Sequence, residues 1–175
     1  MLSIAFLLAF SAAAQAGGAQ APCAGPEYRL LDFWTGRWDV KLSPPEGQAQ
    51  AGSAKTLGTN IIEKTLGGCA VLEHWSDAAG GSGKSLFYYH PAERVWKQVW
   101  VTDIGRVKEK RAVAAPSPDA VRFQGELRAD DGSRILDRTT LTRLPGGRVR
   151  QLIEQSVDDG RAWKPTFDAI YTPMK

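Results

Sequence analysis

The chain has 175 residues and a mass of 19.0 kDa, with 22 basic and 19 acidic side chains, a net charge of +3 and a pI of about 8.9. That length holds one domain. The basic residues are spread along the chain rather than gathered into the concentrated footprint that nucleic acid requires, which argues against nucleic acid, and none is expected as a partner.

Residues 1–16 read as a secretory signal peptide. Leu2 to Phe10 is apolar, and Ala14-Gln15-Ala16 is a small-residue cleavage site. Cleavage as late as Ala21 is the alternative, and residues 17–26 are expected to form a flexible leader. The apolar stretch falls far short of the roughly 20 residues a membrane-spanning helix needs, so no membrane span is expected. The expected location is periplasmic or secreted. Residues 27–175 then make a single domain, and about 150 residues bury roughly 68–70% of their unfolded surface without help from a metal. Cys23 and Cys69 are the two cysteines. In an exported chain such a pair most simply closes one disulfide. Lipid attachment at Cys23 is the competing reading, weakened because Gln20-Ala21-Pro22 lacks the leucine of a lipoprotein signal.

Beyond the leader, Glu27 to Trp34 predicts a short helix, with Leu30, Leu31 and Trp34 on one side. Gly36 ends it, and Arg37 to Leu42 alternates as a first strand. Pro44 to Gly47 is a turn by composition. Ser53 to Leu66 reads as one long or two short strands, with Gly58 as a bend. Gly67-Gly68 leads into Cys69 to Trp75, and Asp77 to Gly83 is a glycine-rich hairpin loop returning through Ser85 to Tyr89. From there strands and turns of Gly, Pro and Asp alternate to Tyr171. Nine or ten strands joined by short links, with no helical pattern between them, predict an all-β fold. The closure such a meander favours is an antiparallel up-and-down β-barrel with a short N-terminal helix.

Val95 to Val101 is the most informative strand. Its period of two puts Trp96, Gln98 and Trp100 on one face. A buried glutamine between two indoles must find several hydrogen-bond partners. Two readings follow: two structural tryptophans with an amide satisfied by backbone, or one wall of a small-molecule cavity.

Several motifs carry a resemblance. They are Leu31-Asp32-Phe33-Trp34-Thr35-Gly36-Arg37-Trp38-Asp39-Val40, Gly67-Gly68-Cys69 with Leu72-Glu73-His74-Trp75, Gly83-Lys84-Ser85-Leu86 with Tyr88-Tyr89, and Val95 to Val101. The end of the chain adds Gly147 to Gln151, Glu154-Gln155-Ser156, Asp158-Asp159-Gly160 and Trp163. Together they resemble the DUF1579-like family of exported bacterial proteins, a group of unassigned function related in pattern to calycin-type, lipocalin-like barrels. The resemblance spans nearly the whole mature chain. It implies the barrel and supplies no reaction or catalytic residues. Gly36-Arg37-Trp38 also resembles the lipocalin signature in which the tryptophan plugs the closed barrel end.

Glu73-His74-Trp75 is the most chemically suggestive cluster. On a strand Glu73 and Trp75 share a face and His74 takes the other, so Glu73 and His74 cannot act on one substrate. With Val71 inward, Glu73 becomes a buried carboxylate that needs a partner or a raised pKa, and Arg122, Arg138 and Arg150 are the available cations. The plain alternative is a structural ion pair. His74 and His90 lack the spacing of a zinc site, so no metal is assigned. A haem needs one axial histidine, which alone does not assign a cofactor, and none is expected. Ser82 has no strand–turn–helix elbow, and Gly80 to Ser85 lacks the full phosphate-loop frame.

The expected ligand-binding set is Trp38, Glu73, Trp75, Tyr88, Gln98 and Trp100, holding a small apolar or aromatic molecule in the barrel. An enzyme using Glu73 as acid or base in the same cavity is the first alternative. A filled barrel acting through its surface is the second.

Overall fold

The computed structural model describes residues 22–44 and 55–175; the expected signal peptide and most of the Pro44 to Gly47 turn lie outside the described residues. Ten strands follow in chain order: β1 (Gly36–Leu42), β2 (Thr56–Thr65), β3 (Ala70–Asp77), β4 (Ser82–His90), β5 (Val95–Thr102), β6 (Val107–Val113), β7 (Ala120–Arg128), β8 (Arg134–Arg143), β9 (Val149–Ser156) and β10 (Lys164–Pro173). Each strand pairs antiparallel with its neighbours in sequence, and β10 returns to pair with β1, so the sheet is a closed up-and-down barrel. Closure leaves no edge strand among the described residues, which is how an antiparallel sheet of this size avoids pairing with other chains.

The expected long strand is one strand, β2. A register shift between Val40 and Lys41 of β1 falls opposite Gly58, where the expected bend lies. The expected short N-terminal helix is present, built of two 3-10 segments, Pro26–Arg29 and Asp32–Trp34. A helix this short cannot recover its nucleation cost by propagation, and tight turns serve where a few residues must be steered into a core.

Those turns position a plug. Trp34 is fully buried and meets Phe87 and Tyr171 edge-on, with ring centroids 5.6 and 6.0 Å apart. Trp38 donates its indole N–H to the Trp34 carbonyl at 2.9 Å. Around them Val40, Val71, Phe87, Phe123, Leu141, Val149 and Tyr171 are buried in one continuous apolar cluster. Aromatic edge contacts add about 0.5–1.5 kcal/mol each beyond simple burial, so this end of the barrel is closed and strongly packed. The segment leading to the plug is tethered twice. Cys23 and Cys69 form a disulfide with Cα atoms 4.9 Å apart, and the Trp96 indole donates to the Glu27 carbonyl at 2.7 Å.

Above the apolar end, the inward positions change character. Asn60, Glu73, Ser85, Gln98, Lys110, Thr139 and Gln151 are all buried, and each occupies an inward register position on a different strand. The barrel thus has an apolar floor at one end and a polar layer across its middle.

Candidate functional site

A cavity of about 220 Å³ occupies the barrel above that polar layer, lined by twelve residues that include Glu73, Trp75, Gln98, Trp100, Lys110 and Phe167. Its mouth is the end where β3 passes into β4 and β5 into β6. Asp77 there is exposed, and Trp75, Trp100 and Lys108 are partly exposed, whereas Glu73, Gln98 and Lys110 below them are buried.

The two indoles owe their placement to two glycines. A β-carbon on Gly83 would stand 2.4 Å from the Trp100 ring, and one on Gly58 would stand 2.9 Å from the Trp75 ring and 2.1 Å from the Ser76 carbonyl oxygen. No other residue fits at either position without displacing its neighbours, so each glycine is the seat of one indole. Phe167 meets Trp75 edge-on, with centroids 6.2 Å apart and the planes at 90°. The mouth is therefore walled by three aromatic rings held at fixed angles.

The polar layer centres on Glu73. Asn60 Nδ2 donates to its Oε1 at 2.7 Å and Ser85 Oγ donates to its Oε2 at 2.6 Å. Gln98 Nε2 donates in turn to Ser85 Oγ at 3.1 Å. Burial pushes the Glu73 carboxyl above the usual carboxylate range, and the Ser85 and Asn60 hydrogen bonds with the nearby Lys110 charge reverse only part of that. Beside it the Tyr171 hydroxyl donates to Gln151 Oε1, and burial together with the Glu73 charge drives the phenol well above its ordinary value.

A second cluster sits against the first. Lys110 pairs with Asp137 and donates to Thr139 Oγ1 at 2.6 Å, while Lys108 Nζ and Gln155 Nε2 reach the other Asp137 oxygen at 3.2 and 2.9 Å. Burial pulls the Lys110 ammonium down from its ordinary value although Asp137 opposes that. Burial alone would raise the Asp137 carboxyl, but the charges of Lys110 and Lys108 outweigh it and hold it low. A fully buried carboxylate with two cations and an amide around it is a stable ion cluster, not a free acid.

Four of the six expected ligand-binding residues come together here: Glu73, Trp75, Gln98 and Trp100 all line the cavity. Trp38 does not. It is buried in the apolar cluster of the closed end, on the far side of the Tyr171 ring at 6.2 Å between centroids, and does not line the cavity. Tyr88 is also outside the cavity. Gly83, Ser85 and Phe87 take the inward positions of β4, so the next residue faces outward by alternation. The expected arginine partners of Glu73 are corrected as well. Arg138 is bound to Glu154, Arg150 to Asp168 and Arg122 to Thr140, all on the outward face, and Glu73 is held by the neutral Asn60 and Ser85 instead. His74 lies outward against Glu63 at 3.1 Å, as strand alternation requires.

Lys108 and Lys110 were not legible as cavity residues, because Lys108-Glu109-Lys110-Arg111 is charged at every position and shows no inward face. Phe167 and Tyr171 carry a signal: Phe167-Asp168-Ala169-Ile170-Tyr171 places both aromatics at one parity.

No protein-family model matches the chain, and no curated protein matches it. Fold and compartment chemistry rest on the structure itself. The disulfide suits an oxidising compartment, and no described helix is long and apolar enough to cross a membrane.

Proposed function

We propose that this protein binds a small aromatic molecule in the open end of its barrel, against Trp75, Trp100 and Phe167. The observation that carries this is the pair of glycine seats: Gly58 and Gly83 give up side-chain packing so that two indoles lie along the cavity wall. Pockets for small molecules are concave, mostly apolar and furnished with a few convergent polar groups, and this cavity has that composition. Its 220 Å³ suits a ligand of one or two fused rings rather than an extended lipid. We read the chain as an exported protein that works in the periplasm or outside the cell, and we place it by motif with the DUF1579-like barrels.

Catalysis by Glu73 is the weaker reading. The raised carboxyl favours it, but both oxygens already accept hydrogen bonds from Asn60 and Ser85, so Glu73 organises the floor. The test is native mass spectrometry of protein taken from its own envelope without denaturation, together with calorimetric titration of the purified chain with indole. A discrete extra mass, or saturable indole binding lost in Trp100→Ala, supports the proposal. A bare mass with no heat of binding for indole or phenol overturns it.

A further inference from the structure

Proton counting fixes the direction of the hydrogen bonds beneath the indoles. With Glu73 ionised, the one proton of the Ser85 hydroxyl goes to Glu73 Oε2. Ser85 Oγ can then only accept from Gln98, which therefore presents Nε2 to it. Turning the amide over would set two acceptors against each other. Gln98 is thus locked with its carbonyl oxygen directed elsewhere, and that Oε1 is buried with no hydrogen-bond partner among the described residues. The residue is 7% exposed and lines the cavity. A buried acceptor without a donor is unfavourable, and a ligand that supplies the donor removes that cost on binding.

The charges around Gln98 narrow the class further. Its register partner across β5 and β6 is Lys110, and Glu73 lies beyond Ser85 on its other side. Flanked by one charge of each sign, a cation or an anion at Gln98 gains from one neighbour what it loses to the other and still gives up its hydration, which favours a neutral donor. The geometry points to a neutral planar aromatic ligand bearing an N–H or O–H group, its ring against Trp75 and Trp100 and its donor on Gln98 Oε1. This inference rests on the aromatic-binding reading above and adds the polar group that selects the ligand. It makes Gln98 the specificity-determining residue.

Calorimetric titration with two matched pairs, indole against 1-methylindole and phenol against anisole, tests it. Methylation adds apolar surface, so a purely hydrophobic site takes the methylated member of each pair more tightly. A site built on the Gln98 acceptor reverses that order, with the donor-bearing member about five- to tenfold tighter, the ratio one hydrogen bond to a buried acceptor supplies. In Gln98→Leu both members of each pair are expected to bind, with the methylated one now preferred. Equal or tighter binding of the methylated probes by the unmodified protein overturns the inference and leaves the aromatic reading standing. Failure of all four probes to bind overturns both. The ratios in the unmodified protein decide the matter even if the variant does not fold.

Discussion

The Trp100 ring lies across Gly83 so closely that a β-carbon there would come within 2.4 Å of it. Gly83 faces Trp75 across β3 and β4, so the space that its missing side chain frees is the space the cavity wall occupies. Both aromatic walls therefore depend on what two residues lack.

Gly83→Ala should push the Trp100 ring into the cavity. We expect indole affinity to fall at least tenfold and stability to fall by about 1–3 kcal/mol, the usual range for overpacking a fitted site. Calorimetry and urea unfolding of the same preparation measure both. Unchanged affinity would show that Trp100 does not wall the site.

Glu73 makes a pH-dependent contribution with a definite sign. Burial raises its carboxyl in the folded state, so the folded protein holds this proton to higher pH than the unfolded chain does. Stability therefore falls as pH rises from the ordinary glutamate value of about 4.3 through the raised folded value, and below about 4.3 the penalty is absent. Glu73→Gln abolishes that dependence. Its amide keeps the Ser85 hydrogen bond on oxygen and donates to Asn60 Oδ1, which has no partner among the described residues, once the Asn60 amide turns over. Urea unfolding of both proteins from pH 4 to pH 8 should show the variant gaining on the original as pH rises. Parallel curves would mean that the carboxyl is not raised.

Lys110 and Asp137 form a pair whose side chains are 2% and 0% exposed. Lys110→Met strands Asp137 with Lys108 as its remaining cation, and a broken buried pair costs about 3–5 kcal/mol. Chemical denaturation at pH 7 and pH 3.5 checks this. The loss should shrink at the lower pH, where the stranded carboxyl takes up a proton.

The disulfide encloses a loop with a sequence separation of 46. Loop-closure entropy gives it about 4 kcal/mol, so Cys69→Ser, or reduction, should lower unfolding stability by an amount of that order. Near-ultraviolet circular dichroism should change as well, because Cys23 tethers the segment that carries Trp34 into the closed end. A stability change below about 1 kcal/mol would show that the plug is held by packing alone.

Alternation and turn chemistry were enough to read a meander of nine or ten strands, because a strand with one buried face must repeat every two residues and Gly, Pro and Asp punctuate its turns. The same parity rule placed Trp96, Gln98 and Trp100 together, and Glu73 with Trp75. Parity has no origin of its own, however. Tyr88 went to the wrong face because nothing local to β4 says which of its two faces is inside, and only its pairing with β3 and β5 decides that. Height along the barrel was equally illegible: Trp38 and Trp100 both point inward, yet one fills the closed end and the other walls the open one. Register across the closing β1 and β10 pair sets that height. The partner of Glu73 also lay beyond local reading, since long-range pairing delivers Asn60 and Ser85 to its two oxygens while turning the arginines of β7, β8 and β9 outward. The sequence by itself determined the strands and which residues of a strand share a face, because those follow from local periodicity. The cavity, its glycine-seated indoles and the locked Gln98 carbonyl were decided by tertiary structure, because they arise only when strands distant in sequence are set at one level around a closed barrel.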